Sequence, residues 1–447
     1  MNFRAYPRLA AHWQILLALI LATIVGLSLK LVGDSAALGP LRDGFLAVSG
    51  FVGDLFMRAL KMLIVPLIVA SVISGITGLQ GVTGLGRLGA KTIALFLTTT
   101  ALATVLGLTL VNLLKPGLEN GQPNRVIREA FMAQAETAGE GDLAKVSTAA
   151  GREATDFLDI FRKMIPENVV QAASDNGQML GVILFSLLLA IAVTQLPGEK
   201  TRGFREFVET AHEAMMVLTK WVMALAPLGI FGLMVPIIFK TGPELFVQMG
   251  TYFVTVLSGL MIHLFLVLPL VVRVFTGRNP LPLFREMRPA LMLAFSTASS
   301  SGTLPVTMRC MQEGAGVSKR ITSFTLPLGA TINMDGTALY ECVAVLFVAQ
   351  VMGVEMGLAA QAFVVVASLL TSIGVAGIPS ASLVAILLIL KNSGIPEAES
   401  AVIALLAVDR LLDMSRTAVN VFSDSCTALI MAHMEGEKIF PKSGPRA

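Results

Sequence analysis

Long apolar runs set the pattern of this chain. They recur near residues 13–33, 45–77, 91–114, 156–195, 205–240, 244–275, 318–350 and 397–432. Each is long enough to cross a bilayer, which takes about 20 residues. Several are longer and must be tilted, broken or extended beyond the membrane. Two further apolar segments, near 289–311 and 357–391, are interrupted by small residues and proline. The first holds Ser299-Ser300-Ser301-Gly302-Thr303-Leu304-Pro305, and the second holds the stretch from Ser372 through Gly377, Ile378 and Pro379 to Ser382. Each reads as an apolar arm, a small polar tip and a second arm, the pattern of a helical hairpin that enters the membrane and turns back. Ordinary loops are the alternative. Irregular backbone at that depth is tolerated only where protein shields it or it lines a water-filled site. Broken segments in two halves of a chain point to a substrate site between inverted repeats.

A third interruption, Gly329 to Thr337, lies inside the seventh run. Its Gly-x-Thr-x-Asn-x-Asp-Gly-Thr order predicts an unwound stretch that frees carbonyls and adds an amide and a carboxylate. Hard cations such as sodium take several oxygen ligands of this kind. A glycine kink with self-satisfied side chains is the simpler alternative.

Composition agrees with the pattern. The 447 residues are 55% hydrophobic and 14% charged, with a mean hydropathy of +0.76. That predicts an all-α polytopic membrane protein. The net charge of +3 gives no reason to expect a nucleic-acid partner. Cys310, Cys342 and Cys426 form no paired motif, so neither a disulfide frame nor a zinc site is indicated. His12, His212, His263 and His433 are scattered and read as isolated polar side chains. Arg4 and Arg8 precede the first run, which reads as a retained helix with a cytoplasmic N-terminus. Arg87, Lys91, Lys200, Arg202, Arg205, Arg273, Arg278, Arg285, Arg288, Lys438, Lys442 and Arg446 can all be cytoplasmic if eight helices cross and the two interrupted segments do not. A ten-crossing chain also keeps both termini inside. The polar insert near 116–155 then falls outside, as a mobile loop of no catalytic interest.

The eighth run carries the chemistry. Residues 409–424 hold five formal charges between apolar flanks. A charge at bilayer depth costs on the order of 3 kcal/mol even on the mildest scale. At about 100° per residue, Asp409, Asp413, Arg416, Thr417, Asn420 and Asp424 share an arc of roughly 100°. Leu411, Leu412, Val419 and Phe422 fall outside it, and Arg410 sits at its edge. A loop has no reason to keep that phase, so a membrane helix with one loaded face is expected. Arg416 suits a substrate carboxylate, which its planar fork binds bidentately. Asp413 suits a substrate ammonium. The alternative for Arg416 is an internal pair with Asp409 or Asp413, and the two arrangements can alternate as substrate comes and goes. Asp335, Asp409, Asp413 and Asp424 outnumber Arg410 and Arg416. An acidic amino acid would deepen that deficit, so cations, or protonation of an aspartate, must accompany it.

Ser-Ser-Ser-Gly-Thr-Leu-Pro at 299–305, Asn-Met-Asp-Gly-Thr at 333–337, Gly-Ile-Pro at 377–379 and the Asp, Asp, Arg-Thr, Asn and Asp of 409–424 occur in order. Together they resemble the dicarboxylate/amino acid:cation symporters, the glutamate transporter family. The resemblance covers nearly the whole chain. It implies eight transmembrane helices, two re-entrant hairpins, inverted repeats, a homotrimer and an elevator motion. It divides the chain into scaffold helices 1–2 (1–77), transport helix 3 (78–115), an extracellular loop with scaffold helices 4–5 (116–243), transport helix 6 (244–281) and a transport core (282–447). It implies substrate contacts at Ser299, Ser300, Thr337, Gly377, Ile378, Asp413, Arg416, Thr417 and Asn420. One sodium site is implied at Gly329, Asn333, Asn420 and Asp424. A second is implied at Thr331, Met334, Ser372, Ile373 and Val375, and a third at Thr99, Thr100, Asn333 and Asp335. Members with this site carry a further arginine where this chain has Ala298 or Met414, and Arg410 is the candidate substitute.

The function expected is symport of glutamate or aspartate with sodium across an inner or plasma membrane, without enzymatic chemistry. The rival is a proton-coupled glutamate or C4-dicarboxylate carrier, and Asp413 favours an amino acid. An intramembrane protease would need a base beside the serine cluster, and no histidine is near it in sequence. A pure channel has no need of a matched Arg/Asp pair.

Overall fold

The computed structural model describes residues 11–31, 39–77, 85–129, 131, 165–174, 179–241, 249–374, 382–393, 395 and 398–440. These residues are almost wholly helical. In chain order the helices are α1 (Ala11–Leu31), α2 (Gly39–Thr77), α3 (Leu85–Leu114), α4 (Val169–Ser174), α5 (Met179–Thr194), α6 (Gly198–Ala224), α7 (Ala226–Thr241) and α8 (Gly250–Ile262). They continue as α9 (Leu268–Thr276), α10 (Leu281–Thr297), α11 (Ser300–Arg309), α12 (Lys319–Ile332), α13 (Asp335–Met352), α14 (Leu358–Gly374), α15 (Ser382–Asn392) and α16 (Ala398–Met434). One small antiparallel ribbon pairs Leu118–Glu119 with Gln122–Pro123. It lies within the insert near 116–155, most of which is outside the described residues.

Among the described residues five stretches are long and apolar enough to cross a membrane, and the bent pair α6–α7, which turns by 56°, makes a sixth. α5 is a shorter apolar helix that begins at the edge of an undescribed segment. α16 is long enough to cross but carries charged and polar side chains along its length. These account for the eight expected crossings. The two interrupted segments decide against ten. α10 has 17 residues, α11 has 10 and runs on through a π-helical turn, Cys310–Gly314, and α14 and α15 have 17 and 11. At about 1.5 Å per residue no described arm spans more than roughly 26 Å, short of a bilayer core of about 30 Å. The arms pack on each other within each segment, as hairpins do.

The tip of the first hairpin is local geometry. α10 ends as Ala298 turns left-handed at φ 50°. Ser299 is extended and caps α11, its Oγ accepting from the Gly302 amide at 3.1 Å. The second tip, residues 375–381, lies outside the described residues.

Two packing groups follow from the contacts. α7 packs on α1 and α2, and α2 packs on α5 and α6. The second group joins α3 to α13, and α16 to α10, α12 and α13. α2 meets the second group through α11 and α12. Side chains of the first group remain open to their surroundings: Ile24 is 55% exposed, Phe51 63% and Leu188 56%. That suits lipid. In α13, by contrast, every residue except Gln350 is buried.

α16 is likewise a core helix, buried beyond its polar face. Leu412, Val419 and Phe422 lie outside the polar arc and are fully buried. Phe422 stacks on Phe284 of α10, with ring centroids 4.2 Å apart. The periodicity marks which side chains are polar, but neighbouring helices cover both faces.

At one end of the molecule, ion pairs join Lys91 and Arg320 to Glu435, Lys319 to Glu209, and Lys220 to Glu313. The first turns of α3, the start of α12 and the end of α16 therefore share one membrane face. This is the face to which the positive residues assign the cytoplasm.

α2 and α7 touch backbone to backbone. A Cβ on Gly53 would lie 2.6 Å from the Leu233 nitrogen, and one on Gly232 would lie 2.6 Å from the Ser49 carbonyl. Small residues allow such approach between membrane helices. Gly53→Val is therefore expected to force the pair apart and cost about 1–3 kcal/mol, as overpacking does. The readout is thermal unfolding of purified protein in detergent, and an unchanged midpoint would contradict this crossing.

Candidate functional site

The loaded face of α16 meets the break between α12 and α13. The backbone leaves helical geometry at Asn333 and Met334, with ψ of 87° and 61°. The last carbonyls of α12 and the first amides of α13 thus lack ordinary intrahelical partners. Two glycines let this break approach α16. A Cβ on Gly336 would lie 2.7 Å from the Arg416 carbonyl, and one on Gly329 would collide with Asp424 Oδ1. Asn420 stitches the seam. Its Oδ1 accepts from the Gly336 amide at 2.8 Å, and its Nδ2 donates to Thr337 Oγ1 at 3.1 Å.

Arg416 lies at the centre and is 1% exposed. Its Nη2 donates to Asp413 Oδ1 at 2.8 Å and to Asp409 Oδ1 at 3.0 Å. Its Nη1 donates to Ser382 Oγ on α15 at 2.8 Å. The guanidinium lies over the Tyr340 ring, 3.8 Å from its centroid, in cation–π geometry. The internal pair therefore exists, and with both aspartates at once. Asp413 is 8% exposed against 1% for Asp409, so it is the more accessible of the two. Thr417 donates back to the Asp413 carbonyl at 2.8 Å. Ser300 is buried at the first turn of α11. Ser299 is occupied as its cap. Gly377 and Ile378 fall on the undescribed tip.

A second cluster surrounds Asp335. Thr100 Oγ1 donates to Asp335 Oδ1 at 2.7 Å, and Thr99 Oγ1 lies 3.2 Å from the same oxygen and 3.3 Å from Asn333 Oδ1. Thr99, Thr100, Asn333 and Asp335 are thus brought together as expected. Asn333 Nδ2 donates to Asp424 Oδ1 at 2.9 Å. With Gly329 against Asp424 and Asn420 one turn earlier, the other set of Gly329, Asn333, Asn420 and Asp424 also converges. The remaining set is only partly described. Thr331 and Ser372 donate to carbonyls of their own helices, Leu328 and Leu369, and α12 packs on α14. Met334 lies at the break. The backbone of Ile373 is helical, and Val375 is outside the described residues.

Several residues here carry no sequence signal. His263 is not the isolated side chain expected. Its Nε2 lies 3.0 Å from Asp335 Oδ2, and it is fully buried. A π-helical turn, His263–Val267, carries it, and such single turns recur at functional sites. Ser423 donates to Asp335 Oδ2 at 2.6 Å and accepts from Asn333 at 3.0 Å. It lies beside Asp424 on the helix and could have been suspected from that adjacency. Tyr340 and Glu341 sit in an apolar run that hides them. Glu341 is fully buried; its Oε2 accepts from Thr371 of α14 at 2.7 Å, and its Oε1 has no partner among the described residues. Ser382 was likewise overlooked. Arg410 is only half-buried, and no ion pair involves it among the described residues.

Two re-entrant hairpins and a broken helix, gathered on a charged buried helix, define a secondary transporter. The chain belongs to the sodium:dicarboxylate symporter family, whose model matches residues 11–434. An excitatory amino acid transporter of Caenorhabditis elegans is 37% identical over 426 residues, covering 86% of this chain and 80% of its own. Excitatory amino acid transporter 3 of Mus musculus is 34% identical over 463 residues, with 93% and 84% covered. Neutral amino acid transporter B(0) of Oryctolagus cuniculus is 35% identical over 444 residues, with 93% and 78% covered. These relatives are transporters, not enzymes.

Ser423→Ala removes a donor from Asp335 and an acceptor from Asn333. It should destabilise the protein by about 1–3 kcal/mol, read as a lower unfolding midpoint. Ser425→Ala, which removes only a bond to its own helix at Val421, is the control and should shift the midpoint less. Equal shifts would deny Ser423 its bridging role.

Proposed function

We propose that this protein is a secondary active symporter that imports glutamate or aspartate together with sodium ions. Family membership alone leaves the substrate open, because relatives named for excitatory and for neutral amino acids match about equally well. The observation that carries the reading is Arg416. A fully buried guanidinium beside Asp413, one turn earlier on the same helix, matches a substrate with both a side-chain carboxylate and an ammonium. Asp413 favours an amino acid over a plain C4-dicarboxylate. Substrate sits against Ser300, Thr337, Asp413, Arg416, Thr417 and Asn420, with Gly377 and Ile378 as further contacts.

Sodium occupies the oxygen-rich clusters around Asp424 and Asp335, and a third position between Thr331, Met334 and the start of the second tip. The first packing group, with α1, α2 and α5–α7, acts as the scaffold, and the group around α13 and α16 moves against it as an elevator. The exposed apolar faces of the scaffold contact lipid and neighbouring copies in a homotrimer. Both termini lie in the cytoplasm.

Glu341 favours a second reading, in which a proton travels as well. A carboxyl oxygen buried without a donor is costly when ionised, and a proton carried with substrate would relieve that cost.

Arg416→Ala is expected to abolish uptake of labelled aspartate and glutamate while the protein still reaches the membrane; normal acidic uptake by that variant would sink the assignment. Coupling is tested in proteoliposomes with sodium and proton gradients imposed separately. A sodium gradient alone should drive accumulation in the wild type. Asp424→Asn should raise the sodium concentration needed for half-maximal binding several-fold, and an unchanged sodium dependence counts against that ligand. Uptake driven only by a proton gradient, and lost in Glu341→Gln, favours the second reading.

A further inference from the structure

Arg416 has five N–H donors in a fixed plane. Nη2 spends its two on Asp409 and Asp413. Nη1 gives one to Ser382 Oγ. Nε has no partner among the described residues, and it shares its edge of the plane with the occupied Nη2. One face is covered by Tyr340. The two remaining N–H groups, on Nε and Nη1, are therefore not parallel neighbours. A ligand carboxylate cannot take two of them side by side unless an aspartate lets go, and each aspartate is held on the same helix as the arginine.

Ser382 supplies another way to a two-point grip. A serine hydroxyl accepts through its lone pairs and still has a proton to donate. Here the lone pair receives the Nη1 donor at 2.8 Å, and both groups are buried. Accepting from a cation polarises the hydroxyl and strengthens it as a donor. Ser382 opens α15, the second arm of the second hairpin.

We infer that Ser382 is a substrate-binding residue whose hydroxyl donates to the side-chain carboxylate of the acidic substrate, beside an N–H of Arg416. This rests on the acidic-substrate reading proposed above and adds a residue to it. The carboxylate thereby holds the second hairpin to Arg416, so a substrate without it leaves the hairpin one bond short.

The test is initial-rate uptake of aspartate and glutamate in proteoliposomes at fixed sodium, for Ser382→Ala and Ser382→Thr. A hydrogen bond to a charged group is worth about 1.5–3 kcal/mol, or roughly 10- to 150-fold. Ser382→Ala should raise KM for both substrates by at least about tenfold, with little change in maximal rate. Ser382→Thr, which keeps the hydroxyl, should stay within about threefold of wild type. An unchanged KM in Ser382→Ala overturns the inference. A lowered KM overturns it too, because the serine would then be competing with substrate for Arg416. A threonine variant that folds and loses affinity as the alanine does shows that the hydroxyl is not what matters. Arg416→Ala separates the two levels. If it abolishes acidic uptake while Ser382→Ala changes nothing, only the role of Ser382 falls. If it leaves acidic uptake intact, the acidic-substrate reading itself falls.

Discussion

A guanidinium at bilayer depth has to be paired, and the interior of this protein is arranged around that requirement. Leaving one partner of a buried ion pair alone costs roughly 3–5 kcal/mol. Arg416 meets the demand with partners from three elements: Asp409 and Asp413 from its own helix, Ser382 from the second hairpin, and the ring of Tyr340 from α13. Each partner fixes something larger. The aspartates lie seven and three residues before the arginine, so α16 must remain helical through its most charged stretch. Tyr340 lies on the arginine only if α13 begins near Asp335, and Gly336 is what allows that start to press on the Arg416 backbone. The break at Asn333 and Met334 is therefore as much a consequence of Arg416 as of the local sequence.

Much of this is legible from residue order. The polar arc of 409–424 fixes a helix and its phase. The Ser-Gly-Thr and Gly-Ile-Pro tips mark the hairpins, and the Gly-x-Thr-x-Asn-x-Asp-Gly-Thr run marks the break. Charge placement could not separate eight crossings from ten, because both keep the same residues inside; the short arms of the two interrupted segments separate them. What stays hidden has a common physical cause. His263, Tyr340 and Glu341 lie in apolar runs without a polar period, and Ser382 is one of several serines at a tip, which nothing local singles out. Their meaning comes from partners far along the chain: 72 positions between His263 and Asp335, 34 between Ser382 and Arg416. Likewise, amphipathicity gave α16 a polar face but said nothing of what covers its apolar one, which here is Phe284 rather than lipid.

The charge balance is more uneven than the sequence indicates. Arg410 stays half-buried and outside the cluster, whereas Glu341 is buried. Asp335, Asp409, Asp413, Asp424 and Glu341 thus face a single buried arginine, with His263 beside Asp335. Asp409 and Asp413 are answered by Arg416. Asp335 and Asp424 are answered by hydroxyls, an imidazole and an amide, and no guanidinium or ammonium reaches them among the described residues. That division puts the two carboxyl groups without a guanidinium partner on the side of the seam where carbonyls of α12 are freed.

On the proposed reading this asymmetry is the origin of coupling. An acidic amino acid brings one net negative charge into a region already deficient in cations. Sodium at the Asp335 and Asp424 clusters removes the repulsion, so each ligand raises the affinity for the other by the same factor, as linkage requires. Electrostatics through a dry interior would suffice, but a shorter route also exists. Asn420 bonds the Gly336 amide and Thr337 hydroxyl on one side, and sits one turn from both Arg416 and Asp424 on the other. A cation that reorients Asn333 and Asp424 moves the start of α13 against this amide, and with it Thr337 and Tyr340. The same few ångströms of broken helix that make room for oxygen ligands therefore also set the position of the carboxylate-binding arginine.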